Sequence, residues 1–324
     1  MTSQGESGLV ERVCFAILDR PVCVWGVRAA EVNARFLDSV DPGFFMHEAE
    51  VHGKALREAT EDRERQTHAM ALRLSYGMAL ETLFAFLAAS AQAPHCMFAW
   101  LSLYRNDELR DLVRRIIAGE DVLAFEPYRP LTWRGLASEM LRPLEGEDQE
   151  KYNWAVGRFT EAWELFAADF LNESRSKEYN SIKHGIRSQP GSFSVRAEAE
   201  GQTLLESESV FGHRLVFAQP KANRRMQYDV VSVFMTLEPQ KCIAALSLIS
   251  VSIHNLLVNA FARSGHAKRP LQLIYPDTDH RFDMLKEETA PIRSFTYSSR
   301  FELHDPTAYP SREEILAVYE DPSR

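Results

Sequence analysis

The chain has 324 residues, 45% of them hydrophobic and 26% charged, and a formal net charge of −9 at pH 7. That length and composition suit one large domain or two average ones with a sizeable core, and exclude a disordered tail, a collagen-like repeat and a disulfide-stapled miniprotein. The acidity excludes a chain-wide electrostatic glove for nucleic acid, although a local basic patch stays open.

Residues 1–43 form an N-terminal segment with two short apolar runs, Val13–Leu18 and Val22–Val27, readable as two strands or as a helix and a strand. Asp41-Pro42-Gly43 is a turn signal. Residues 44–190 read as a helical body. Phe44 to about Ala91 predicts helix through a charged stretch at Glu58–Arg65, and Met70–Leu87 is apolar on most of its circumference, as a central helix should be. A further helix follows Pro94 to about Tyr104, and Asn106–Ile117 predicts an amphipathic one ending near Gly119. Pro127, Pro130, Pro143 and Gly146 mark a loop-rich connection. From Glu150 onward, Tyr152, Ala155, Phe159, Ala162, Trp163, Phe166 and Phe170 recur at helical spacing. That helix fades at Asn172–Ser174, and Ser176 is the expected cap of a second one ending at Gly185.

Residues 191–265 predict three or four antiparallel strands, from the alternation at Phe193, Val195 and Ala197, parts of Val210–Ala218 and the valine-rich Tyr228–Leu237, then a long buried helix over Gln240–Arg263. Residues 266–324 form a C-terminal extension. It holds strand candidates at Leu271–Tyr275, Ile292–Tyr297 and Phe301–Leu303, and a last helix opening where Ser311 and Glu314 have capping-box spacing. The fold class expected is mainly α with a small antiparallel β element (α+β) on a helical-bundle body.

Cys14, Cys23, Cys96 and Cys242 show no C-x-x-C pair, so we expect four reduced, mostly buried thiols in a cytoplasmic protein without a secretory leader. Thr82–Tyr104 and Cys242–Ala262 run 23 and 21 residues without Asp, Glu, Lys or Arg. Gln92-Ala93-Pro94-His95 interrupts the first, while His254, Asn255 and Asn259 would be costly in hydrocarbon in the second. Both are expected to be core helices of a soluble protein, with no membrane as partner.

The most distinctive segment runs from Ser176 to Arg187. On a helix persisting through Gly185, Lys177, Asn180, His184 and Arg187 fall within about 80° of one another, opposite Tyr179, Ile182 and Ile186. An amide, an imidazole and two cations on one face suit a phosphate or carboxylate: imidazole moves a proton near neutral pH and the cations stabilise developing charge. Equally, Asn180 and His184 can bond a neighbouring loop while the cations are solvated. Glu81, alone among Met78, Ala79, Leu80, Leu83 and Phe84, is the buried-acid candidate. It is an acid, an orienting partner for a histidine or lysine such as His184 or Lys183, or half of a structural pair tying two helices.

Tyr179-Asn180-Ser181-Ile182-Lys183-His184 resembles the Arg-Asn-x-x-x-His element of HEPN-domain proteins, placed after a long helix. That resemblance implies a helical bundle, often dimeric, and in many members a metal-independent ribonuclease. Asn180 and His184 match the element. Tyr179 stands where the family has arginine, and neither Arg175 nor Arg187 sits at that spacing. A phenol cannot supply the fixed positive charge of a guanidinium. Two readings follow: a non-catalytic protein acting through a protein partner or as a homodimer, and a ribonuclease acting on RNA with His184, Asn180, Arg187 and Lys177. Neither implies a cofactor or a metal.

Other groupings are weaker. His47 and His52 are not on one helical face, and Glu48 with His52 does not make a site. Asp277, Asp279, His280 and Asp283 form an acidic loop without the EF-hand pattern, and Lys221–Arg225 is a basic turn. Nucleotide-loop and nucleophile-elbow motifs are absent.

Overall fold

The computed structural model describes residues 11–26, 28–142, 148–184, 188–199, 202–220, 227–264, 272–274, 279–287, 294–302 and 311–320. The chain divides into two compact units, one of Met1–Lys183 with Leu237–Thr289, the other of His184–Thr236 with Ala290–Arg324.

The first unit opens with an antiparallel hairpin of β1 (Glu11–Ile17) and β2 (Arg20–Gly26). Alternation makes both apolar runs strands: Phe15 and Ile17 are buried, Arg12 and Cys14 exposed. Leu18 in the turn takes φ 56, a left-handed conformation uncommon outside glycine. Gln92 holds it there, accepting from the Leu18 N–H and donating to the Leu18 carbonyl, each at 3.0 Å. The same amide donates to Leu123 O at 2.7 Å and accepts from Trp100 Nε1 at 3.2 Å.

Cys14 and Cys23 are directly opposed in the hairpin and joined by a disulfide, with Cα atoms 4.2 Å apart. This corrects the expectation of four reduced thiols. The pairing arises from strand register, which a search for C-x-x-C does not detect. Cys96 and Cys242 are free and buried.

Ten helices follow in this unit among the described residues: α1 (Ala29–Ser39), α2 (Phe44–Glu58), α3 (Asp62–Gln92), α4 (Met97–Leu103), α5 (Asn106–Ala118), α6 (Trp133–Leu141), α7 (Gln149–Leu171), α8 (Glu173–Lys183), α9 (Pro239–Ser264) and α10 (His280–Lys286). The stretch expected as one helix from Phe44 breaks between α2 and α3, where Ala59 and Glu61 are extended. Asp62 and Glu64 then complement the positive end of the new helix. α3 is the central helix and packs against α2, α7 and α9. Leu72, Leu83 and Phe84 of α3 and Phe159, Trp163 and Phe166 of α7 are fully buried. α6 arises inside the proline-rich connection because Thr132 caps it, accepting from Gly135 N at 3.0 Å.

α9 belongs with the helical body, so the boundaries expected at 43, 190 and 265 do not follow the division of the chain. Its polar residues carry specific bonds. Asn255 exchanges two hydrogen bonds with the Ile274 backbone, Asn259 donates to Glu139 O at 2.7 Å, and Ser252 accepts from Trp163 Nε1 at 3.1 Å. Among the described residues α3 and α9 are long and apolar enough to cross a membrane, and 72% and 89% of their apolar windows are buried inside the protein.

The second unit carries a four-stranded antiparallel sheet in the order β3 (Ser188–Ala199), β4 (Gln202–Pro220), β5 (Gln227–Thr236) and β6 (Ser294–Glu302), with α11 (Arg312–Glu320). β6 joins the two strand candidates at 292–297 and 301–303 into one, and residues 272–274 form no strand. The fold is mainly α with a small antiparallel β element, as the sequence predicts.

Candidate functional site

Asn172 both ends α7 and opens α8. Its N–H closes on Ala168 O and Asp169 O at 3.1 and 3.2 Å, and its Oδ1 accepts from Arg175 N at 3.1 Å. α8 therefore starts three residues before the expected cap Ser176. Arg110 of α5 locks this joint, donating to Phe170 O at 2.5 Å, Leu171 O at 2.9 Å and Ser176 Oγ at 2.9 Å. A cation there meets the negative end of the α7 dipole.

Beside the joint lies a buried ionic cluster. Glu178, only 1% exposed, accepts from Arg73 Nη2 at 2.7 Å and from Arg175 Nη1 at 3.2 Å. Tyr76 donates its hydroxyl to Asp169 Oδ2 at 3.0 Å. Burial alone would lower the Arg73 pKa, but its neighbours, the Glu178 charge foremost, outweigh it and raise it well above the usual value. Burial first and the Asp169 charge second push the Tyr76 phenol up in turn.

α3, α5, the end of α7 and α8 enclose a cleft of about 560 Å³ over this cluster. Its cationic side carries Arg110 and Arg114, one turn apart on α5, facing Lys177 and Asn180 of α8. Burial, followed by the like charge of Arg114, lowers the Arg110 pKa. Arg114 also pairs with Asp111 at 2.8 Å. The acidic side carries Glu81, half-buried, whose charge acts on the Tyr104 phenol. Burial and then Glu81 push Tyr104 up to about 12, and raise Tyr179 as well. Both phenols therefore stay protonated at neutral pH.

Of the predicted site residues, Lys177 and Asn180 line the cleft together. His184 lies beyond the end of α8, in an exposed turn, so the helical face expected to persist through Gly185 stops at Lys183. Arg187 falls outside the described residues, as do Asp277 and the basic turn at 221–225. Glu81 is in the cleft, but its neighbours are two tyrosines rather than His184 or Lys183. Lys183 instead sits 5.8 Å over the Tyr179 ring. Tyr179 itself is fitted to Gly77 of α3: a Cβ built on that glycine would come within 2.4 Å of the ring. The residue standing at the family's arginine position thus packs as an aromatic wedge.

His52 meets His68 of α3 through their Nδ1 atoms at 3.2 Å, with Glu48 3.6 Å from its other nitrogen, and no metal-binding group of three arises among the described residues. Asp279 and Asp283 clamp Arg158 of α7, at 2.6 and 3.8 Å. Sequence reasoning missed Arg110, Arg114 and Glu178. The first two carry a visible signal, like charges four apart on one helix. Glu178 falls on the apolar side of α8, which marks a buried acid. The chain matches no protein-family model, no curated protein and no solved structure with which it was compared.

Proposed function

We propose that the protein is a non-catalytic helical binding protein of HEPN type, soluble and cytoplasmic, whose cleft receives a phosphate group of an RNA partner. One observation carries this reading: two guanidinium groups of like sign, one turn apart on α5, face the same cleft as Lys177 and Asn180. Asp111 pairs with Arg114 and none of the bonds Arg110 makes at the joint is to an acid, so this wall of the cleft keeps a net positive charge, and planar guanidinium forks suit phosphate oxygens. The non-catalytic part rests on the exposed turn that holds His184 and on the wedge made by Tyr179.

The test combines binding and cleavage on one labelled mixed RNA pool in excess EDTA. Wild type should raise the anisotropy of the pool without shortening it. Arg114→Ala with Lys177→Ala should weaken binding about tenfold and flatten its salt dependence by roughly one to two units of slope. Unchanged binding by that double variant would remove the cleft from recognition. EDTA-resistant cleavage that His184→Ala abolishes would replace this reading with the ribonuclease.

A further inference from the structure

We propose that Cys14 and Cys23 are a reversible thiol–disulfide couple, opened and closed by exchange with small cellular thiols, in which Arg12 stabilises the Cys14 thiolate. Both cysteines are exposed on the outer face of the hairpin, while Cys96 and Cys242 are buried. The Arg12 guanidinium lies against both sulfurs, its Nε 3.2 Å from Cys14 Sγ and its Nη2 3.7 Å from Cys23 Sγ. The Trp25 ring, 64% exposed, holds that guanidinium in place at 4.8 Å.

Reactivity in such a pair follows access and thiolate stability. An incoming thiolate attacks Cys23 Sγ, the S–S bond breaks, and the electron pair leaves on Cys14 Sγ, where the nearer Arg12 nitrogen compensates the charge. A second thiolate attacks the mixed disulfide at the sulfur of the small thiol. It releases the Cys23 thiolate, which takes up a proton. Two small thiols are thereby oxidised to one disulfide while the protein pair is reduced. In the reverse direction the Cys14 thiolate is the better nucleophile, because Arg12 keeps it ionised.

The hairpin does not depend on this bond for its seat. Phe15 and Ile17 are buried, Gln92 holds Leu18, Arg20 meets Glu108 at 2.8 Å and Asp19 meets Arg115 at 2.7 Å. The sulfurs can therefore change state while the fold remains. Disulfides that form in a reducing compartment are mostly of this transient kind.

The experiment equilibrates the full-length protein with mixtures of reduced and oxidised glutathione, then quenches and alkylates under native conditions before mass analysis. Two adducts should appear as reduced glutathione rises, with Cys96 and Cys242 unlabelled until the chain is denatured. Arg12→Ala should slow reduction roughly three- to tenfold at an unchanged melting temperature, and Arg12→Lys should restore most of the rate. In single variants, Cys14 in Cys23→Ser should alkylate faster than Cys23 in Cys14→Ser. A pair that stays oxidised in excess reduced glutathione until the protein unfolds would overturn the proposal. So would a reduction rate that Arg12→Ala leaves unchanged.

Discussion

Glu178 shows how much one side chain can hold. It sits on the face of α8 turned toward α3 and joins Arg73 and Arg175 on a single carboxylate. Removing it strands a buried guanidinium, and breaking a buried pair from one side costs about 3–5 kcal/mol. Glu178→Ala should therefore lower stability by about that amount in urea unfolding. Replacing both partners, Arg73→Met with Glu178→Leu, removes the stranded charge and should recover much of the loss. If the double variant is as unstable as the sum of the single ones, the pair is not coupled in this way. The cluster lies under the cleft, so the same carboxylate keeps the floor rigid beneath Arg110 and Arg114.

At the scale of elements, the hairpin depends on a residue far from it in sequence. Gln92, at the last turn of α3, satisfies four polar groups at once and is 1% exposed. Gln92→Leu leaves the Leu18 amide and carbonyl without partners, at about 1–3 kcal/mol for each orphaned buried group. The expected result is faster hydrogen exchange at the hairpin turn, at Leu18 above all, with the far end of α3 unaffected. Equal exchange in the variant and wild type would show that the turn holds without the amide. Gln92 also marks the limit of what local sequence shows. The long helices α3, α7 and α9 were legible because apolar residues repeat at helical spacing over many turns. The α2–α3 break was not, since Ala59–Glu61 carries neither glycine nor proline. α6 and α10 are short helices whose turns depend on Thr132 and on the clamp between Asp279 and Arg158. In the site, Lys177 and Asn180 were legible from their shared face. The partners of Glu81 and the end of α8 before His184 depend on packing between distant segments, which periodicity along one helix does not encode.

The whole molecule has a predictable response to acid, because several of its inter-element ties are carboxylates held below their usual pKa. Glu108 is lowered first by its hydrogen bond from Arg20 and then by the Arg105 N–H, against the opposing effect of burial. Glu161 is lowered first by Lys286 and then by Arg158, and Asp279 first by Arg158. These ties join the hairpin to α5 and α7 to α10. Carboxylates unfold to pKa values of about 4, so the folded state binds fewer protons than the unfolded one in the range just below that value. Stability from these ties is fully present above about pH 5 and is lost as pH falls through the lower folded values. Denaturant midpoints should therefore be level from pH 7 to about 5 and drop steeply below about 4. Glu108→Gln keeps an acceptor for the Arg105 N–H but removes the charge facing Arg20. It should be less stable than wild type at pH 7, with the gap closing only as pH falls through the lowered folded value of Glu108, below which both carry a neutral side chain. Parallel curves through that value would mean that the Arg20–Glu108 pair contributes nothing through its charge. The acid limb would then have to come from the other two ties, which Asp279→Asn and Glu161→Gln measure in the same way.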